Sequence, residues 1–299
     1  MNPKICQFYI TLKCNATCEF CDIWHRSEYQ DAPEITAMEH EKGLKALRRK
    51  GVEELRITGG EPLLYDELPQ VLKIAKELGF KISLFTNCYH YPERAKEIKN
   101  LVNTFYFSID YPYPEQHNRS RGRSLFNNII RSIEKATHLK ENIVMFYTVT
   151  RDSILYLPEI VEFCDKFSVN VILNPVYDFA GTQGFNPDSI DYMRYFGRRK
   201  NVFVNLALLQ FIASRGNSIA FPRCRARESV VTMLPSGKTV APCFYNQGGK
   251  QGKESVCISC MRWPYMLPSF TIGFDRYKIL DLYSKRLWSK RSIKLEAIR

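Results

Sequence analysis

Six runs of apolar, β-branched and aromatic residues punctuate the chain: KICQFYITL (4–12), ELRIT (54–58), KISLFTN (81–87), TFYFSID (104–110), NIVMFYTVT (142–150) and VNVILNPVY (169–177). Runs of this length and composition predict strands. Between them apolar residues return every three or four positions, the helical period. One helix is expected to open at Thr36, where Thr36-Ala-Met-Glu39 forms a capping box, and to close near Gly51 after a basic last turn. Others are expected over 67–78, with Gly79 as the stop, and over roughly 93–101, 124–139 and 157–167.

Strands alternating with helices predict an α/β fold with a parallel sheet and right-handed crossovers. The loop 179–189, rich in Gly, Asn, Pro and Ser, marks the best boundary. A length of 299 residues allows one large α/β unit plus an appendage, and 45% apolar residues support a core. The apolar start is too short to span a membrane and carries no small-residue cleavage site, which points to a cytoplasmic protein. In a reducing compartment ten cysteines argue for metal binding or catalysis rather than disulfides.

Seven of those cysteines fall into two groups. Cys14, Cys18 and Cys21, in CNATCEFC, follow the first strand at a spacing that gathers three thiolates round one iron–sulfur cluster and leaves a fourth iron open for chemistry. Zinc is the alternative, with His25 completing a Cys₃His set. Downstream, RITGGEPLL ends a strand in paired glycines, which let backbone approach a ligand closely. In the second group Cys224 and Cys243 flank an expected hairpin that turns at Pro235-Ser-Gly237, and Cys257-Ile-Ser-Cys260 adds two thiols; spacing alone favours Cys₄ zinc. Cys6, Cys88 and Cys164 sit in apolar contexts and read as packed core thiols.

The tricysteine run with Phe20 before its third cysteine, followed by Gly59-Gly60-Glu61-Pro62, resembles the radical S-adenosylmethionine (radical SAM) superfamily. The resemblance implies a partial (βα)6 TIM barrel and a 4Fe–4S cluster on Cys14, Cys18 and Cys21. The open iron of that cluster would chelate S-adenosylmethionine, with Phe20, Gly59, Gly60, Glu61 and Pro62 around the cofactor. It further implies ribose and carboxylate contacts from Ser108, Asp110 and either Arg119 or Arg121, although Asn118 stands where relatives often carry aspartate. The later cysteines resemble the Twitch form of the SPASM appendage. That likeness implies a small C-terminal β-hairpin plus helix auxiliary-cluster domain, its second 4Fe–4S cluster closed by Cys224, Cys243, Cys257 and Cys260. The expected organisation is then a core at 1–185, a linking helical segment at 186–220, the auxiliary domain at 221–265 and a basic tail at 266–299. Arg151 and Asp178, after the fifth and sixth strands, are the candidates for catalysis.

The net charge of +12 is uneven, with eight basic and no acidic residues from Arg194 through Arg227. It suits an anionic small-molecule or lipid-linked substrate, or contact with anionic lipid at the inner face of a membrane; nucleic acid is the weakest reading, because no binding motif accompanies the charge. The tail places Leu280, Tyr283 and Leu287 on one helical face, to dock on the barrel or, with Trp288, to touch a membrane. By resemblance, the expected activity is reductive cleavage of S-adenosylmethionine and hydrogen abstraction from the substrate, with a flavodoxin- or ferredoxin-type electron donor and the auxiliary cluster accepting a second electron. Maturation of a ribosomally made peptide is the alternative, disfavoured because the chain reaches its first strand within about five residues and leaves no room for a leader-binding domain. A non-enzymatic Cys-rich zinc or iron–sulfur scaffold is the other alternative, against which the Gly59–Glu61 motif speaks.

Overall fold

A computed structural model describes residues 3–176, 185–250 and 254–292. The elements are β1 (Ile5–Thr11), α1 (Ser27–Gln30), α2 (Ala37–Arg49), β2 (Glu54–Gly59), α3 (Leu68–Glu77), β3 (Lys81–Thr86), α4 (Tyr91–Arg94), β4 (Thr104–Ile109), α5 (Pro114–Arg121), α6 (Phe126–Leu139), β5 (Ile143–Val149), α7 (Leu157–Lys166), β6 (Asn170–Pro175) and α8 (Pro187–Phe196). The chain continues through β7 (Val202–Phe203), α9 (Leu206–Ala213), α10 (Ala226–Ser229), β8 (Val230–Met233), β9 (Thr239–Val240), β10 (Pro242–Cys243), β11 (Asn246–Gln247), α11 (Trp263–Phe270) and α12 (Arg276–Arg291). All six expected strands form. The fold is α/β with a parallel-stranded sheet.

Two compact units divide the chain. The first holds Met1–Ile109, Tyr113–Val144 and Val231–Val240. In it β1, β2, β3 and β4 lie side by side in chain order and pair in parallel. Their C-terminal ends therefore share one edge, which is where the Cys14 loop and the Gly59 segment begin. One face of these strands is largely apolar: Cys6, Phe8, Ile10, Leu55, Ile57, Leu84, Phe105 and Phe107 are buried, with Thr86 beside Phe107 at its end. Against Phe8 packs the ring of His40 from α2, edge-on at 5.1 Å. The Leu44 and Leu47 side chains of α2 are buried as well, each burial stabilising the fold by roughly 1.5–3 kcal/mol. The capping box at Thr36 and Glu39 forms in full.

The second unit holds Asp110–Pro112, Met145–Val230 and Ala241–Arg299. Here β5, β6 and β7 are successive neighbours, with Val171 paired to Val202 in parallel register. Among the described residues no helix is long and apolar enough to cross a membrane.

Three expectations change. The helix expected over 93–101 is only the short α4 followed by turns, with i to i−3 bonds at Glu97 and Leu101 and a left-handed Asn100 bringing the chain into β4. The expected hairpin forms as β8 and β9, turning at Gly237, but it lies beside β1 in the first unit. Its second strand stops at Val240, and Cys243 pairs instead in the separate β10–β11 ribbon. Finally, the inward face of α12 is not the apolar stripe. Asp281, Ser284 and Trp288 are buried, while Tyr283 is exposed.

Candidate metal centre

The three thiols of the first unit hang on the loop after β1, and that loop is tied down from two sides. Thr17 and Glu19 donate their N–H groups to the carbonyls of Arg121 and Ser120 at the end of α5, both at 3.0 Å. On the other side Gly60 N–H bonds Thr11 O at 2.9 Å and Glu61 N–H bonds Lys13 O at 2.8 Å. This second approach explains both glycines. A Cβ on Gly59, whose φ is +139°, would sit 1.9 Å from Thr11 O, and one on Gly60 would sit 1.9 Å from Lys13 O. The close approach that the glycines permit is thus of one strand end to the next.

Glu61 is fully buried, and both its oxygens are held. Its Oε1 accepts from Leu63 N–H at 3.1 Å and Thr86 Oγ1 at 2.7 Å, and its Oε2 accepts from Asn87 N–H at 2.7 Å. The carboxylate therefore ties the ends of β2 and β3 together. Burial pushes its pKa up to about 7, against the pull of those donors and of the Arg121 charge. Asn87 reaches on to Asn15 Oδ1 at 2.7 Å, in the cysteine loop itself.

The two candidate arginines separate cleanly. Arg119 is exposed on α5 and pairs with Glu115 at 2.9 Å. Arg121 is buried, with Nη1 3.6 Å from Cys18 Sγ and its guanidinium 5.4 Å from the centre of the Phe20 ring. Its charge also acts on Cys21 and Glu61. Asn118 accepts the N–H groups of Leu125 and Phe126 at 2.8 and 3.0 Å, so it holds the start of α6.

Cys14, Cys18 and Cys21 pack round Ala16 and Leu125. Burial pushes the Cys14 thiol up to about 12 and raises Cys21 too, partly offset by N–H groups of Ala16 at Cys14 and of Ile23 and Trp24 at Cys21. Donors aimed at sulfur serve a thiolate, and a bound metal supplies the charge that lets a buried thiol lose its proton. Among the described residues no three His, Cys, Asp or Glu side chains form a group that could hold a single metal ion. His25 is exposed and stacks on Trp24 at 3.6 Å. The donor set of three thiols with N–H groups turned toward sulfur fits an iron–sulfur cluster.

In the second unit Cys224, Cys243, Cys257 and Cys260 line one small cavity closed by Pro242, Val256 and Met266. Burial pushes Cys224 up to about 12 and Cys243 up to about 11. Each of the four sulfurs again has a donor. Ala226 N–H serves Cys224, and Tyr245 and Asn246 N–H serve Cys243. Asn246 Nδ2 stands 3.6 Å from Cys257 Sγ, and Arg262 Nη1 stands 3.4 Å from Cys260 Sγ. Four thiols with this supply of donors fit a cluster with no open iron.

Sequence reasoning missed the residue that assembles this set. Asn217 is buried and accepts the N–H groups of Arg223 and Cys224 at 2.9 and 3.1 Å on its Oδ1. Its Nδ2 donates to Cys257 O at 3.2 Å, and its backbone pairs with Cys260 O and Ser259 N–H at 3.1 and 2.9 Å. No local pattern marks it, because its partners come from segments up to about forty residues away. Arg262, two residues after Cys260, was within reach of a reading that looked for cations beside thiolates.

The other expected site residues are scattered or outside view. Ser108 is half-buried at the end of β4, and Asp110 is buried, its charge reaching Tyr147. Pro62 is buried at the start of a 3₁₀ turn capped by Glu61. Arg151 is exposed in the turn after β5. Asp178 lies outside the described residues.

A family model described as the Radical SAM superfamily matches residues 8–164. Among curated proteins the chain is similar to GTP 3',8-cyclase of Aquifex aeolicus (strain VF5), 33% identical over 165 residues, 52% of this chain and 51% of that protein. The chain spans about half the length of the curated relatives it matches at this level. Among solved structures it is similar to Streptococcus suis SuiB bound to precursor peptide SuiA, with a TM-score of 0.66 and 18% identity over 88% of this chain and 65% of that one. It is also similar to native anSMEcpe with bound AdoMet, with a TM-score of 0.61 and 14% identity over 94% of this chain and 83% of that one. At these identities the two structures speak for the fold alone, the partial barrel among them.

Proposed function

The chain belongs to the radical SAM superfamily, and on that premise we propose that it cleaves S-adenosylmethionine reductively and takes a hydrogen atom from a small anionic metabolite. One observation carries the reading: Arg121 and Glu61, opposite in charge and both buried, stand beside the three-thiol loop. A cofactor with an ammonium and a carboxylate at one end needs both signs next to an open iron. The Arg121 guanidinium takes the carboxylate. Glu61 supplies negative charge toward the ammonium, which in turn holds the carboxyl ionised. Cys14, Cys18 and Cys21 would hold the cluster, which when bound would supply the one electron needed to break the C5'–S bond of S-adenosylmethionine into methionine and a carbon radical able to take the substrate hydrogen.

In this reading the second centre is an auxiliary cluster within residues 221–265. Cys224, Cys243, Cys257 and Cys260 would hold it with all four irons' protein positions filled, and when bound it would supply an acceptor for the electron that the substrate radical gives up, together with a proton released to a base or solvent, to complete a two-electron oxidation. The names of the curated relatives, GTP 3',8-cyclases, support a small anionic substrate of the nucleotide kind, as does the excess of basic residues.

The test incubates the anaerobically reconstituted full chain with a strong reductant and S-adenosylmethionine. Nucleoside triphosphates, phosphorylated lipids and peptides are then added separately. We expect slow 5'-deoxyadenosine release without substrate and at least tenfold faster release with one class of small anion. No release under any condition would sink the activity; acceleration by peptides alone would sink the substrate class.

A further inference from the structure

The second unit contains a cavity that neither thiol centre uses. It has a volume of about 430 Å³ and lies among α8, β7, α9 and α12, and no cysteine lines it. That volume falls within the range of small-molecule sites. Its walls are apolar, with Phe203, Val204 and Leu206 on one side and Leu280, Leu287 and Trp288 on the other. Its polar groups are biased in sign. Arg194, Arg198 and Arg291 line it, and no carboxylate does. Arg291 Nη1 donates to the Arg198 carbonyl at 3.2 Å, which brings two of the three guanidinium-bearing segments together, and Arg194 pairs with Asp191 outside the lining at 2.9 Å.

Two further observations separate this cavity from a packing gap. Helix α12 docks on α9 through polar groups. Asp281 Oδ1 accepts from Asn205 Nδ2 at 2.7 Å, and Ser284 Oγ accepts from Leu206 N–H at 2.9 Å. Its apolar stripe of Leu280, Tyr283 and Leu287 is thereby left to line the cavity instead of the helix contact. The second observation is Trp288. It is 4% exposed and packs edge-on to Phe203 at 5.4 Å, yet its indole N–H has no hydrogen-bond partner among the described residues. A buried donor left unpaired costs about 1–3 kcal/mol, and because Trp288 lines the cavity its N–H resonance reports on what enters there.

We propose that this cavity binds an amphipathic anion, whose apolar tail lies against Leu280, Leu287 and Phe203 and whose carboxylate or phosphate head sits at Arg194, Arg198 and Arg291. Guanidinium groups hold either head in bidentate geometry. The inference does not rest on the reaction proposed above.

The test labels the indole nitrogens of the full chain with ¹⁵N and follows the N–H resonances of its three tryptophans, that of Trp288 being assigned by its loss in Trp288→Phe. Octanoate, octyl phosphate and octanol are titrated separately. The Trp288 resonance should move saturably with at least one anion, at least tenfold more tightly than with octanol, while those of Trp24 and Trp263 stay in place. The tighter of the two anions identifies the head group. Arg198→Gln alone and combined with Arg291→Gln should weaken the anion at least tenfold and leave octanol within twofold, and Leu287→Trp should fill the cavity and abolish binding. The proposal is overturned by no saturable movement at Trp288, by octanol binding as tightly as the anions, or by unchanged anion affinity in the Arg198→Gln protein.

Discussion

The two thiol centres solve opposite problems. The first offers three sulfurs on a loop pinned between a helix end and a strand end, and it keeps a buried cation and a buried carboxyl beside them. The second offers four sulfurs in one small cavity, assembled by the neutral amide of Asn217, with the Arg262 cation at Cys260 and, among the described residues, no carboxyl lining it. A centre that must admit a zwitterionic cofactor needs charge of both signs and a missing ligand. On the proposed function the second centre only passes electrons, so it needs no missing ligand and gains from closure. On the proposed function, the number of thiols and the presence or absence of a buried carboxyl beside them divide the labour between otherwise similar cysteine sets.

The sharpest way to break this division is to remove each set in turn. Replacing Cys14, Cys18 and Cys21 with alanine should reduce iron from roughly eight to roughly four per chain, given one four-iron cube per set, and abolish 5'-deoxyadenosine formation. Replacing Cys257 and Cys260 should remove a similar share of iron, spare part of that formation and stop turnover of the true substrate. Iron and sulfide assays with product chromatography decide it. One or two zinc ions without labile sulfide in the native protein would end the account.

Next in size is the contrast between two arginines on one short helix. Arg121→Ala should weaken S-adenosylmethionine binding by about ten- to a hundredfold, since a charge-assisted bond is worth about 1.5–3 kcal/mol. Arg119→Ala should stay within about twofold, because its exposed pair with Glu115 contributes about 0–1 kcal/mol at most. Equilibrium binding to the reconstituted protein measures both. Equal losses would remove Arg121 from the site.

That contrast also marks where the sequence stopped being readable. The strands and the cysteine spacing were legible, because β-branched runs and ligand periods are local signals. Arg119 and Arg121 could not be told apart because no helix was expected over residues 114–121. Once they wind into α5, residues two apart point to nearly opposite sides, and only one can meet Cys18. The docking face of α12 was misread for a related reason, since its buried contacts are Asp281 and Ser284 and a search for apolar periodicity finds the other stripe. Asn217 and the placement of the hairpin beside β1 depend on partners distant in sequence, which no local pattern encodes.

Asn217→Ala sharpens the comparison from the second centre. It removes the acceptor of two backbone N–H groups and a donor to Cys257 O, at about 1–3 kcal/mol for each buried group left unpaired. The auxiliary centre should lose iron faster on dilution or chelation, with S-adenosylmethionine binding unchanged. Asn217→Asp keeps the acceptor and should retain more iron than the alanine variant.

The smallest expected effect is a pH dependence of the apo protein. Glu61 is raised from 4.5 to about 7 in the fold, so between those values the native state binds more protons than the unfolded chain. Its contribution to stability is complete below about pH 4.5 and is lost as pH rises toward 7, by about 3 kcal/mol. His40, lowered from 6.5 to about 4 by burial, acts in the opposite sense and loses stability on acidification across nearly the same window. Denaturant unfolding of wild type and Glu61→Gln at pH 5 and pH 7 isolates the first effect. The wild type should lose stability relative to the variant on going from pH 5 to pH 7, and a gain would contradict the buried, protonated carboxyl.

The most direct test of the division itself is electron–nuclear double resonance on the reduced protein with S-adenosylmethionine labelled with ¹⁵N at its amino group. A ¹⁵N coupling to a reduced cluster is expected in the wild type and in the Cys257→Ala/Cys260→Ala protein, and none in the protein lacking Cys14, Cys18 and Cys21. A coupling that survives loss of those three thiols, or disappears on loss of Cys257 and Cys260 alone, would assign the cofactor to the wrong centre and contradict the account.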